Sequence, residues 1–202
     1  MSVLPWIVVP AAYFIGSIPW GFLVGKATRN VDVREYGSGK TGMANVLRTI
    51  GIGGAFVVAC GDFAKGAVPV LLIKDSPSLA AAVAIAILIG HNWSIFIKFH
   101  GGRGILTGLG ALSILVPWAS AAALIGLPVI ALFRYISLGS LVGTLSTMIV
   151  GTVLYLLGQI PTPYALYSLV GGTLIIVQHR ENIRRLLKGT ELRLGERAAP
   201  RS

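Results

Sequence analysis

The sequence predicts an all-α, polytopic integral membrane protein with seven transmembrane segments, the N-terminus out and the C-terminus in. Three observations carry this. Of the 202 residues, 54% are hydrophobic and only 12% are charged, and the mean hydropathy is +0.80, whereas soluble domains carry about 25% charged residues. Apolar runs of about 20 residues, enough to cross roughly 30 Å of hydrocarbon, recur along the chain. Lys and Arg gather in alternate connections, as they do in cytoplasmic loops. The net charge of +10 is therefore read as topology and not as nucleic-acid binding. The single cysteine, Cys60, excludes an intrachain disulfide and leaves no thiol pair for a metal.

The elements follow in order. Val3–Gly25 has no basic stretch before it, so it reads as a retained first span and not a cleaved signal. Ile52–Ile73 is the second span although it carries Asp62 and Lys65, and Leu79–Phe99 is the third. Ile105–Phe133 is uncharged over 29 residues, about 43 Å as one helix, and "VPW" at Val116–Trp118 marks a break. Leu138–Leu157 and Pro163–Val177 complete the set. Lys26, Arg29, Arg34, Lys40 and Arg48 follow the first span, Lys98 and Arg103 follow the third, and a basic run follows Val177. A hairpin turning near Pro117, with two short segments, brings Arg134 and the basic end of the chain to that same cytoplasmic side. One domain over residues 1–202 is expected, and residues 192–202 read as a disordered basic tail attracted to anionic lipid.

Three polar segments meet on that face: "REYGSGKTGMANVLRTIG" (Arg34–Gly51), "GHNWSIFIKFHGGRGILTG" (Gly90–Gly108) and "QHRENIRRLLKGTEL" (Gln178–Leu192). Glycine clusters let successive amides point at one anion, and arginine adds a planar two-pronged donor for phosphate. Within the first, "GSGKTG" looks like a nucleotide-binding loop. A Walker loop needs a Gly separated by four residues from its Gly-Lys pair, with a buried strand preceding. Arg34 occupies that position and a membrane span followed by "NVDVREY" precedes it, so no nucleotide is expected.

Together the segments resemble the bacterial acyl-phosphate-dependent glycerol-3-phosphate acyltransferases, the PlsY family. "GSGKTGMANVLRTIG", "GHNWSIFIKFHGGRG" and "QHRENIRRLLKGTE" match its three motifs in order, and "DFAKG" (Asp62–Gly66) matches a fourth element. The resemblance implies transfer of a fatty acyl group from acyl phosphate to the 1-hydroxyl of glycerol 3-phosphate, giving lysophosphatidic acid and phosphate, in the first step of phospholipid synthesis. It implies no metal or coenzyme, a bacterial inner (plasma) membrane location with the site facing the cytoplasm, and surrounding membrane lipid; a monomer suffices. Both substrates carry phosphate, and phosphate is a fair leaving group. Catalysis should then be mainly electrostatic, with positioning supplying the rest.

By resemblance, Ser38, Arg48, Arg103, His179 and Asn182 are the catalytic set. Gly37, Gly39, Asn45, Lys65, His91, Gly101 and Gly102 bind substrate, the Gly37 and Gly39 amides forming an anion nest around Ser38. His179 is the candidate base, with a substrate phosphate oxygen as the alternative. Asp62 and Lys65 share one helix face, either as a mutual ion pair or with Lys65 turned to acyl phosphate. Trp20, Trp93 and Trp118 are read as interface anchors, and His100 as solvent-facing. The chain departs from the family pattern at Lys40 (for Asn), Met43–Ala44 (for Ala-Thr), Ser94 (for Pro), Arg103 (for Lys) and Gln178 (for Arg). A transporter or flippase for an organic phosphate or lipid is the competing class, and a non-catalytic binder of phospholipid head groups the third. Polar groups gathered at one face, with no internal repeat, argue against transport.

Overall fold

The computed structural model describes residues 7–200, so Val3–Trp6 of the first expected span and the last two residues lie outside it. The described elements are helical: α1 (Val8–Ser17), α2 (Trp20–Arg29), α3 (Met43–Thr49), α4 (Ile52–Leu71), α5 (Pro77–Asn92), α6 (Ile105–Leu115), α7 (Pro117–Ala122), α8 (Gly126–Phe133), α9 (Ile136–Leu156), α10 (Thr162–Gln178) and α11 (Arg180–Leu187). Among the described residues, four stretches are long and apolar enough to cross a membrane: Val8–Arg29, Ile52–Leu71, Pro77–Ile97 and Ile136–Leu156. Ile105–Leu115 and Pro117–Phe133 are shorter apolar helices.

Prolines set several boundaries. Pro77, Pro117 and Pro163 stand in the first turns of α5, α7 and α10, where the missing N–H costs nothing. Pro19 instead breaks the expected first span into α1 and α2. Such a break strands backbone carbonyls that lipid has no donor to satisfy. Here Ser94 Oγ donates to Ser17 O, and Lys65 Nζ donates to Ile18 O at 2.8 Å. Ser94, a departure from the family's proline, thus supplies a hydroxyl that the proline would lack.

The most buried helix is α5, packed between α1, α4, α6 and α10. Its Gly90 lies against the Tyr13 carbonyl while Gly16 of α1 lies against that of Ile87; Gly66 of α4 and Gly110 of α6 make the same reciprocal contact with Thr107 and Phe63. A Cβ at any of these four would collide with backbone. Without a hydrophobic force between helices in lipid, close backbone approach and van der Waals packing hold such pairs together. The expected break at Pro117 is present: α6 ends at Leu115, and the chain returns through α7, a short turn and α8 along α9.

Other expectations need correction. The third helix ends at Asn92 and not Phe99, because Trp93 leaves helical backbone (φ -127°, ψ 68°); a short turn over Ile95–Ile97 follows, and Lys98 and Phe99 adopt left-handed backbone. Trp20 packs its ring on Gly61 instead of standing free as an interface anchor, whereas Trp118 is 77% exposed. The end of the chain, expected to be disordered, folds back on the first polar segment. Leu194 N donates to Arg134 O while the Arg134 guanidinium donates back to Leu194 O, Ala198 N donates to Arg48 O, Gly37 N donates to Ala199 O, and Tyr36 pairs with Pro200. Backbone amides of a polar loop and a short extended tail satisfy one another there.

Candidate active site

The three polar segments come together at one end of the helix bundle, around the mouth of a cavity of about 410 Å³. Asn45, Arg48, His91, Arg103, His179 and Asn182 line it. Ser38, Gly37, Gly39, Lys65, Gly101 and Gly102 do not.

The first loop is a scaffold more than a nest. Ser38 N donates to Asn45 Oδ1 at 3.1 Å, Gly39 N to Tyr36 O and Gly37 N to Ala199 O. Asn45 spends its own amide on Val33, Tyr36 and Lys40 carbonyls, 2.8–3.2 Å away. The expected amide nest is therefore engaged within the protein, and Asn45 acts as the loop's internal staple. What remains is Ser38 Oγ, buried without a protein partner.

The second loop is fixed the same way. Gly102 N and Gly101 N donate to the carbonyls of His91 and Asn92, so neither amide is free for substrate. The His91 ring occupies the space a Cβ on Gly102 would fill, and Gly104 turns with φ +87° into α6. Between them the loop presents Arg103, whose Nε and Nη2 are buried with no protein partner. Burial, reinforced by the charge of Arg185, pushes Arg103 down to about 10, so it stays cationic at neutral pH. Arg48 donates through Nη2 to Leu192 O at 2.8 Å and leaves Nε unpartnered; burial lowers its pKa too.

The third segment supplies acceptors. His179 Nδ1–H donates to Ile175 O at 2.8 Å, which leaves Nε2 with its lone pair. Asn182 Nδ2 donates to Glu191 Oε1 at 2.7 Å, leaving Oδ1 unpartnered. Glu191 also accepts from Ser137 Oγ and Arg185 Nε. Burial works to lift the Glu191 pKa, but the bonds from Ser137, Arg185 and Asn182 outweigh it and hold the carboxyl below its usual value. Glu191 and Ser137 were missed as site residues. Glu191 stood in the third motif, while Ser137 carried no signal and is brought in only by the fold of α9 against the segment after α11.

Behind the site, Asp62 Oδ1 lies 2.9 Å from Lys65 Nζ and 3.4 Å from His91 Nδ1, all nearly fully buried. Of the two readings, the structure shows the ion pair: Lys65 joins Asp62 to the broken first helix, and it does not reach the cavity. His91 lines the cavity but is tied to Asp62 and the second loop. His100 is exposed, its ring bonded to Lys98 O.

Burial, helped by the Arg103 charge, pushes His179 down to about 4 from an ordinary 6.5. The unfolded chain then takes up this proton first, so folded stability is lost as pH falls from 6.5 towards 4. The loss levels off near ~3 kcal/mol. Thermal unfolding of the protein in detergent is expected to drop between pH 7 and pH 5, and His179→Gln to flatten that part of the profile. An equal drop in both proteins would remove His179 as the cause.

The chain is similar to known proteins over nearly its whole length. The family model described as glycerol-3-phosphate acyltransferase matches residues 6–189. The chain is 42% identical over 198 residues to the glycerol-3-phosphate acyltransferase of Rubrobacter xylanophilus, covering 95% of this chain and 96% of that protein. It is 44% identical over 190 residues to glycerol-3-phosphate acyltransferase 2 of Moorella thermoacetica, covering 93% and 96%. The crystal structure of PlsY, an integral membrane glycerol 3-phosphate acyltransferase, in its glycerol 3-phosphate form matches with a TM-score of 0.87 at 35% identity, over 95% of this chain and 96% of that one. The lysophosphatidic acid form gives 0.84 at 34% identity, over 95% of each chain. With these matches spanning nearly its whole length, the chain belongs to the glycerol-3-phosphate acyltransferase family.

Proposed function

We propose that the protein transfers a fatty acyl group from acyl phosphate to the 1-hydroxyl of glycerol 3-phosphate, yielding lysophosphatidic acid and inorganic phosphate. The observation that carries this is the pairing of two kinds of group at one cavity mouth. Arg48 and Arg103 offer unpartnered guanidinium donors, and His179 and Asn182 offer acceptors, above an apolar cavity. Donors suit phosphate, acceptors suit glycerol hydroxyls, and the apolar cavity suits a fatty chain.

In the reaction the 1-hydroxyl oxygen bonds to the acyl carbon and the bond from that carbon to the phosphate oxygen breaks. The arginines neutralise the charge gathering on phosphate and on the carbonyl oxygen. His179 Nε2 accepts a hydrogen bond from the hydroxyl and aims it. With a pKa near 4, His179 is a weaker base than the departing phosphate, since phosphate groups titrate near pH 6. The hydroxyl proton therefore ends on phosphate, and His179 orients more than it abstracts. Ser38, its amide bonded to Asn45, belongs to the loop that holds these groups and does not itself line the cavity.

We further propose seven membrane segments with the site on the cytoplasmic side of a bacterial inner membrane. Support comes from the two ends of the bundle. Arg134, the tail and the three polar segments gather at one end, while Tyr164 bonds the Lys74 carbonyl at the other. All the dense Lys and Arg clusters fall at the first end, as the positive-inside bias requires. One assay tests the reaction. Purified protein is expected to release phosphate from palmitoyl phosphate only when glycerol 3-phosphate is added. Phosphate release without acceptor, or none at all with acyl-coenzyme A also inert, would sink the reading.

A further inference from the structure

The cavity beneath the arginines has a floor, and three of its walls agree on how deep it lies. The lining residues run from Ile136 to Thr147 on α9, from His179 to Tyr167 on α10, and from Ile130 to Ser120 on the arm returning from Pro117. At 1.5 Å per residue these walls measure about 16, 18 and 15 Å. Below them the packing is closed: Leu115, Val116 and Ala119 are at most 5% exposed. Ser168 approaches Gly151 so closely that a Cβ there would stand 2.7 Å from its Oγ. The floor is also chemically settled. Thr147 and Ser168 give their hydroxyl protons to backbone carbonyls of their own helices. Tyr167 is fully engaged as well, donating to Gly108 O and so joining α10 to α6.

On the reading that this is an acyltransferase, we infer that the cavity is a chain-length gauge, with Ser120, Thr147 and Ser168 as the stop that the methyl end of the donor meets. A chain held by its acyl phosphate head at Arg103 and extended along these walls fills them at roughly 14 to 16 carbons. The selection is steric. Lipid is as apolar as the groove, so burial alone gives little preference for one length over another. A shorter chain leaves lining atoms without partners, and a longer one meets a floor packed like a protein interior. The returning arm is the wall least covered by protein: its lining residues Leu124 and Leu127 are 62% and 58% exposed.

The test measures transfer to glycerol 3-phosphate from acyl phosphates of 8 to 18 carbons, each protein compared with itself as a ratio of lengths, so that folded fraction cancels. The unaltered protein is expected to peak at 14 to 16 carbons and to fall at least fivefold at 18. Thr147→Leu raises the floor and is expected to lower the 16-to-10-carbon ratio at least fivefold. Ser140→Leu, about two helical turns nearer the mouth, should cut that ratio further and move the optimum to 10 carbons or fewer. Ratios unchanged in both variants would overturn the gauge and mean that the chain leaves sideways into lipid. Absence of transfer at every length in the unaltered protein would instead overturn the acyltransferase reading on which the gauge rests.

Discussion

Arg103→Ala is expected to lower the rate of acyl transfer by a factor of about 10³ while the protein remains folded. The two halves of this expectation come from the same fact: Nε and Nη2 of Arg103 are buried and bond nothing in the protein. Removing the side chain breaks no internal hydrogen bond, and it relieves the burial of a charge and its crowding with the Arg185 and Arg48 charges, which depress its pKa in that order. Stability should hold or rise slightly. On the proposed mechanism, however, the transition state loses a charged fork that neutralises phosphate. Removing one such preorganised donor costs about 3–4 kcal/mol, and charged, two-pronged bonds lie at the upper end. Arg103→Lys tests the departure from the family's lysine. It keeps the charge but exchanges the fork for a point donor, so most of the lost rate should return. Rate measurements on monodisperse protein check both variants. Full activity in Arg103→Ala would remove this residue from the mechanism.

Lys65→Met is expected to be among the most destabilising single changes in the molecule. It strips Asp62 of its cationic partner in a nearly fully buried site and takes the side-chain donor from the Ile18 carbonyl at the helix break. Breaking a buried pair by removing one partner costs about 3–5 kcal/mol. The double variant Asp62→Asn with Lys65→Met removes the orphaned charge and should recover much of that loss. It should not recover all of it, because Ile18 O still lacks the lysine donor. Denaturation of the protein in detergent distinguishes the three. A double variant no better than Lys65→Met would mean that the carbonyl, not the charge, dominates.

Legibility divided along a physical line. The membrane class, the break at Pro117 and the gathering of polar segments followed from hydropathy, proline chemistry and charge placement, which are properties of local sequence. The family motifs singled out Arg48, Arg103, His179 and Asn182, and these do line one cavity. The motifs did not separate residues that face the cavity from residues that hold those in place. Asn45, Gly101, Gly102 and Lys65 carry the same marks as the arginines, yet their polar groups are spent on the protein itself. Whether a donor is free depends on what lies opposite it after folding, and sequence spacing carries no such information.

The sequence by itself therefore determined that this chain is built for a membrane, that its Gly- and Arg-bearing segments gather at one end, and which residue types stand there. Only the tertiary structure decided which of those groups remain unpartnered, that Lys65 and Ser94 mend a broken helix, that the tail crosses the first loop, and how deep the apolar cavity runs. Each of these rests on contacts between residues far apart in the chain. Backbone groups in lipid must find partners wherever the fold offers them, and the choice among many chemically equal partners is made by packing.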